Sequence, residues 1–480
     1  MDPALLRVTV FAEGLNYPVG MAALDDGSLL AAVTNGGNYF GSTTGSLVRL
    51  ADADGDGVAE LQQTLVANVP GGRLTALRRA GPLLAVTGQG AGVPIAFYRL
   101  GINPGDPPAF LGQLDLTYPA GSWLHPHSAL ALREDPTSAN RYELYFQLGS
   151  DANFAETTRS VALSGTLGLS ATLAGDALHR VELLDGPGGL TAVGHTQIAT
   201  GLRNASGIAF HPATGDLYLA DNGIDGVVNV NEPTSADEIN VVPKAALGST
   251  VVDFGFPNSY EQYRTGVVVG GGGQLPLVSI QPLPPPSGVE AEGVNEIAFA
   301  PPLFPEPLAG GLFAGFHGRF NLAGAANEEN PLALVDLDAL SYFHFVSNDE
   351  PAVGHLDGLL ATRDTLYVAD ISSHGGFSGA AQNTGRIYAI TSLIPPGDYD
   401  RDGDADGSDL LHWQRDYGSI QPPLARSDGD GDGTVGAADL AVWSTHFGDT
   451  VAAAPQGVPE PRPWALLLPG AAALGVRRKR

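Results

Sequence analysis

The sequence predicts a mainly β chain: a ring of six β-blades, then a small α-helical calcium-binding module, then a short apolar helix at the C-terminus. Three observations carry this. A phrase of polar or glycine start, short apolar strand, turn and second strand recurs six times in degenerate form. Gly (64) and Pro (36) are abundant while charged residues make up only 16%, so turns take a large share and long helices are disfavoured. Past residue 394 an aspartate-rich unit occurs twice, each copy followed by a helical pattern.

The copies follow in order. The first pairs Pro18-Val19-Gly20-Met21-Ala22 with Leu29-Leu30-Ala31, and the second pairs Leu74-Thr75-Ala76-Leu77 with Leu83-Leu84-Ala85-Val86. Ser128 to Leu132 with Leu144-Tyr145-Phe146-Gln147 makes the third. In the fourth, Gly207-Ile208-Ala209-Phe210 precedes Leu217-Tyr218-Leu219-Ala220, which ends in Asp221-Asn222-Gly223. The fifth is Val294 to Phe299 with Leu312-Phe313-Ala314, and the sixth is Asp357-Gly358-Leu359-Leu360 with Leu366 to Asp370. Starts recur every roughly 55–90 residues, so the longer intervals carry insertions within a repeat architecture. Gly385 to Ile390 reads as a closing strand. Ile394-Pro395-Pro396-Gly397 then marks a boundary, because consecutive prolines cannot join a sheet ladder. The expected organisation is a propeller over 1–393, the paired Asp-loop module over 394–450, and a linker and tail over 451–480.

In the module, Asp398, Asp400, Asp402 and Asp409 stand at loop positions 1, 3, 5 and 12 with Gly403 at 6, and Asp406 lies between. The second copy repeats this with Asp428, Asp430, Asp432, Gly433 and Asp439. Hard oxygen ligands that converge on one point, with a glycine for the sharp turn, are what a calcium ion needs. Trp413 and Trp443 occupy matching places and are expected to pack the two helices together. A third run, Asp52, Asp54, Asp56 and Glu60, has Gln63 at position 12 and lies between blade strands. It reads either as a blade-connecting calcium loop or as a plain Asp-Gly turn.

Net charge is −28, with 52 Asp and Glu against 24 Lys and Arg, and the only lysines are Lys244 and Lys479. No basic face is available to neutralise phosphates, which excludes a nucleic-acid partner. The chain has no cysteine, which removes thiol chemistry and cysteine-based zinc sites. No signal peptide is visible after Met1, and because the C-terminal tail speaks for export the true start is expected upstream.

Arg203-Asn204 ahead of Gly207-Ile208-Ala209-Phe210, followed by Asn222-Gly223 and Ala236-Asp237-Glu238-Ile239-Asn240, resembles the glucose/sorbosone dehydrogenase family. That resemblance implies a six-bladed propeller using pyrroloquinoline quinone and calcium on a small sugar substrate. It places His125 as the base that takes the sugar hydroxyl proton, with His127 as a rival. Arg203 and Asn204 would grip the quinone, with Asn222 where the family has a glutamine. Backbone oxygens of Gly223 and Ile224 would hold the adjacent calcium. Gly255-Phe256-Pro257 resembles a Gly-Trp-Pro turn, and Leu312 to Asn321 is similar to the fifth-blade sequence of sorbosone-type members, bringing His317 and Arg319 to the same mouth. The family's lysine near the cofactor has no counterpart here. Arg203 could equally pair with Asp237 or Glu238 and merely staple its blade.

Aspartate at position 12 of the paired loops resembles dockerin repeats, which implies a cohesin-like protein partner. Val458-Pro459-Glu460-Pro461, the apolar stretch Trp464 to Val476 and Arg477-Arg478-Lys479-Arg480 resemble a PEP-CTERM sorting signal. That implies export to the cell surface or beyond and exosortase processing. The apolar stretch falls short of the ~20 residues that a membrane-spanning helix needs.

Three functions are therefore open: an exported quinone-dependent sugar dehydrogenase, a non-catalytic calcium-stabilised surface propeller, and a metal-dependent lactonase-type propeller. The last requires Asn204, Asp221 and Glu13 to meet on the axis.

Overall fold

The computed structural model describes residues 5–90, 92–319, 329–346, 353–420 and 427–451. The sorting tail and its short apolar helix, like Phe320 and Asn321, lie outside the described residues. Among those described, no helix is long and apolar enough to cross a membrane.

Six sheets stand around one axis, as the six repeats predict, antiparallel except where Val252–Asp253 adds parallel to the edge of the third. Their inner strands are Pro18–Ala23, Leu74–Ala80, Leu130–Glu134, Ala205–Phe210, Val294–Phe299 and Leu356–Ala361, defining blades 1 to 6. Each packs against the next, and blade 6 returns to blade 1. The second strands, such as Leu29–Thr34 and Leu312–Phe316, are buried on both faces. This is why they read as continuous apolar runs and not as alternating ones. Six apolar clusters fill the gaps, one between every pair of neighbouring blades.

Closure is made by the N-terminus. Leu6–Leu15 pairs antiparallel with Gly385–Ser392 as the outermost strand of blade 6. The two ends of the propeller thus share one sheet, so opening the ring requires breaking a ladder. The long third interval contains a hairpin, Ser160–Gly165 with Ala171–Ala174, that leaves blade 3 and adds to the edge strand Ala109–Thr117 of blade 2.

The inner strands share one irregularity near their start. The pairing register shifts at Leu74/Ala76, Ala205/Gly207, Val294/Glu296 and Leu356/Gly358. These bulges re-aim one residue per strand. Thr75 Oγ1 donates to Ser128 O at 2.6 Å, Ser206 Oγ to Val294 O, and Asn295 Nδ2 to Asp357 O at 3.3 Å. Each of these side chains spans to the neighbouring blade, so a polar collar stitches the ring at its upper mouth. Gly20 and Gly358 sit where a Cβ would strike the backbone of the next inner strand, at Leu77 N and Val19 O respectively. Only glycine permits that approach.

The module carries two helices, α1 (Gly407–Asp416) and α2 (Ala437–His446). Trp413 Nε1 donates to Gly436 O and Trp443 Nε1 to Asp406 O, both at 2.8 Å. Each tryptophan therefore closes the residue before the other repeat's helix, a reciprocal lock that the matching sequence places anticipate. The module rests on the lower face: Arg401 Nη2 donates to Pro302 O (2.7 Å) and Arg363 Nη2 to Gly429 O (3.2 Å).

Candidate active site at the upper mouth

The site grows from the loops that enter the inner strands of blades 3 and 4. Asp221, which ends the second strand of blade 4, accepts the amides of Arg203 (2.9 Å) and Asn204 (2.5 Å). Asp370 does the same in blade 6 for Gly354 and His355, both at 3.0 Å. The repeated phrases Leu217-Tyr218-Leu219-Ala220-Asp221 and Leu366-Tyr367-Val368-Ala369-Asp370 thus encode one device, a terminal carboxylate that pins the incoming loop. Burial pushes Asp221 up to about 7 and Asp370 up to about 6, against the pull of those amides.

His125 and Arg203 come together at Gly149, where an added Cβ would crowd both. His125 Nε2 is buried and has no hydrogen-bond partner. Burial, then the nearby Arg203 charge, lowers its pKa to about 3. The imidazole is therefore neutral at ordinary pH, the state that accepts a proton. His127 is different: Nδ1 meets Tyr118 Oη at 2.9 Å and Nε2 meets Thr87 Oγ1 at 3.2 Å. Both its nitrogens are spent in the core.

Arg203 is only 2% exposed. It does not pair with Asp237 or Glu238 as the stapling alternative expects. Its Nη2 meets Asp225 Oδ2 at 2.7 Å and Asn153 Oδ1 at 2.8 Å, and Nε donates to Asn153 O at 3.2 Å. Asp225 belongs to the long loop after Asn222 and its side chain is 70% exposed, so a surface carboxylate reaches down onto a buried cation. Asn204 Nδ2 donates to Asn222 Oδ1 (2.6 Å), and Asn222 Nδ2 to Val294 O (2.6 Å), while Asn204 Oδ1 is buried and unpaired. Gly223 N donates to Asp237 Oδ1 (2.8 Å), and Ile224 O accepts the Thr234 amide (2.7 Å). Ile224 O also accepts the Ser235 amide at 3.4 Å, so it takes two amides of its own loop. Glu238 beside them is pushed up to about 8, first by burial and then by Asp221.

His317 and Arg319 leave the second strand of blade 5 on this same face and turn to carboxylates of blades 6 and 5. His317 Nδ1 lies 2.8 and 2.9 Å from the two Asp357 oxygens, and its ring stacks 4.2 Å from His355. Arg319 Nε donates to Glu329 Oε1 at 2.7 Å. Asp357 and Asp225 are the partners that sequence reasoning missed; no local pattern marks either.

The lactonase trio does not assemble. Glu13 is on the outermost strand of blade 6, 69% exposed and facing Arg386, while Asp221 is committed to two amides.

In the module, Asp398, Asp400 and Asp409 bring ligand oxygens within 4.8 Å of one another, as do Asp428, Asp430 and Asp439. Asp402 and Asp432 accept the amides of Asp404 and Thr434, and Asp406 caps α1 through Ser408 N. Asp400 Oδ1 is buried without a partner. Asp52, Asp54, Asp56 and Glu60 also converge, and Asp52 accepts the amides of Gly55 and Gly57 just as Asp428 accepts those of Gly431 and Gly433. The third run thus folds its backbone as the second repeat does.

No family model and no curated protein sequence matches the chain. Among solved structures it is similar to a glucose dehydrogenase (16% identity, 80% of this chain and 99% of that one, TM-score 0.50). A Trichoderma reesei protein of Carbohydrate-Active Enzymes Family AA12, in a calcium structure, is similar at 15% identity over 82% and 96%, TM-score 0.50. The PQQ-bound aldose sugar dehydrogenase of Streptomyces coelicolor shares 18% over 82% and 99%, TM-score 0.47. At such identities the likeness is one of fold, a six-bladed propeller.

Proposed function

We propose that the chain is an exported, quinone-dependent dehydrogenase that oxidises an aldose or sugar aldehyde at the upper mouth. The observation that carries this reading is His125 Nε2, buried, neutral and unpartnered beside Arg203. The donor set suits a flat, carboxylated quinone with calcium. Arg203 offers a cation and Asn204 Oδ1 an unpaired oxygen, and the Asp225 carboxylate already sits on Arg203 as a ligand's would. Arg203 and Asn204 would hold the cofactor, and the carbonyls of Gly223 and Ile224 would face its metal. When bound, pyrroloquinoline quinone supplies the hydride acceptor. His125 Nε2 takes the proton of the sugar hydroxyl, and Ser150 O, accepting from His125 N at 2.9 Å, holds its backbone in place. Burial, with the Arg203 charge second, keeps the imidazole neutral.

The paired Asp loops are read as calcium sites of a dockerin-like module open to a cohesin-like partner, and the tail as a signal for surface display and exosortase cleavage. Both readings rest on the residues named above.

A second reading, a non-catalytic surface propeller, is favoured by Arg203 and Arg319 already being paired, with Asp225 and Glu329. Titrating purified protein with pyrroloquinoline quinone and calcium separates the two. Saturable micromolar binding that Arg203→Ala weakens, with dye-linked sugar oxidation lost in His125→Ala, supports the enzyme; no binding at micromolar quinone leaves the scaffold.

A further inference from the structure

Below the collar, the guanidinium of Arg78 in blade 2 reaches across to Glu296 in blade 5. Beneath that pair lies a chamber of about 1340 Å³, lined by every inner strand, from Met21 in blade 1 to Leu360 in blade 6. Its lower wall is the module itself: Tyr399, Asp400 and Arg401 of the first Asp loop and His412 and Arg415 of α1. The chamber is well above the ~300–1,000 Å³ of an ordinary ligand pocket.

Its chemistry reverses that of the chain. The charged lining is Arg78, Arg79, Arg133, Arg363, Arg401 and Arg415 against only Glu306 and Asp400, in a protein with more than two acids per base. The carboxylates that balance Arg78, Arg79 and Arg133, namely Glu296, Asp25 and Glu143, stand outside the lining. Arg401 meets Glu306 at 3.3 Å and Arg415 meets Asp416 at 3.2 Å, whereas Arg363 has a backbone carbonyl, Gly429 O, and no carboxylate among the described residues. Between the arginines the wall is apolar, with Ile208, Ile297 and Leu360 from three blades, and Arg133 lies 4.0 Å over the Phe210 ring. Planar guanidinium groups over apolar walls select a carboxylate attached to an apolar body.

We propose that this chamber is a second binding site, on the face opposite the upper mouth, for an amphipathic monoanion, a medium-chain aliphatic carboxylate. Its carboxylate lies at the module end, where Arg363 and Arg401 face the cavity, and its chain runs up the axis toward Arg78. The site is independent of the quinone reading, because none of its lining residues belongs to the upper-mouth site.

The test is calorimetric titration of the full chain with decanoate, and with decyltrimethylammonium and decanol as cationic and neutral probes of equal chain length. Decanoate is expected to bind at one equivalent, at least about tenfold more tightly than either other probe. Arg363→Gln, which strands no carboxylate, is expected to weaken decanoate about tenfold and leave decanol unchanged. Ala209→Trp, which narrows the cavity at one lining position, is expected to weaken decanoate and decanol alike in a protein whose melting confirms the fold. Equal binding of cation and anion, decanoate and decanol binding that Ala209→Trp leaves unaltered, or an Arg363→Gln variant that binds decanoate as before, would each overturn the proposal. Should Ala209→Trp not fold, the Arg363→Gln comparison decides.

Discussion

Arg78 and Glu296 lie 218 positions apart in the chain, yet their side chains meet across the propeller axis, from blade 2 to blade 5. Arg78 also donates through Nε to Leu130 O of blade 3 at 2.8 Å, so one side chain ties three blades. Glu296 is 4% exposed, and burial raises its pKa against the pull of Arg78.

Breaking that pair strands a buried charge. Arg78→Met is expected to cost about 3–5 kcal/mol in chemical denaturation, whereas Arg78→Met with Glu296→Leu recovers most of it, since a buried ion pair is often no better than apolar packing. Equal loss in the single and double variants would show that the pair does not act as a unit.

The two histidines of the blade 3 entry loop should separate stability from chemistry. His127→Ala takes one hydrogen-bond partner from each of the Tyr118 and Thr87 hydroxyls, which keep the residue 127 amide and Pro94 O, and empties a buried site, so it is expected to cost about 1–3 kcal/mol. His125→Ala is expected to leave the melting temperature nearly unchanged while abolishing dye-linked sugar oxidation. The reverse pattern would move the proton-accepting role away from His125.

Asp225 competes with any anion for Arg203. Asp225→Asn is expected to tighten quinone binding, read by fluorescence quenching, by roughly tenfold, a change worth about 1.4 kcal/mol. Because Asp225 is largely exposed, the gain should shrink as salt is added. Weaker binding in Asp225→Asn would instead make this carboxylate part of the cradle.

Raised carboxyl pKa values reverse the usual pH trend. Asp221 (about 7), Glu238 (about 8) and Glu292 (about 8) hold their protons in the folded chain beyond the point where the unfolded chain loses them. The stability they contribute is complete below about pH 4, the unfolded value, and is lost as pH rises through about 7 to 8. Melting measured from pH 5 to 8 should therefore fall, and Asp221→Asn should flatten the slope. A rise across that window would show these groups ionised in the fold.

Calcium is expected to order the module. Chelation should change the fluorescence of Trp413 and Trp443, whose indoles bridge the repeats, and calcium in the micromolar range should restore it. Asp409→Ala with Asp439→Ala should abolish the response. An unchanged signal on chelation would mean the loops hold together without metal.

The sequence by itself determined the six strand pairs and the two Asp loops, each followed by a helix. Each of these is written locally, in an apolar run with its turn or in carboxylates spaced along one loop. It also marked His125 and Arg203, which lie where two repeats begin. Tertiary structure alone decided that Leu6–Leu15 closes blade 6, that the Ser160–Ala174 hairpin crosses to blade 2, and that Asp225 sits on Arg203. Only the fold, too, turned His127 into a core residue and set Arg78 against Glu296. Ring closure brings together groups from distant repeats, and whether a buried charge is neutralised depends on what stands across a gap in space, which no spacing along the chain records.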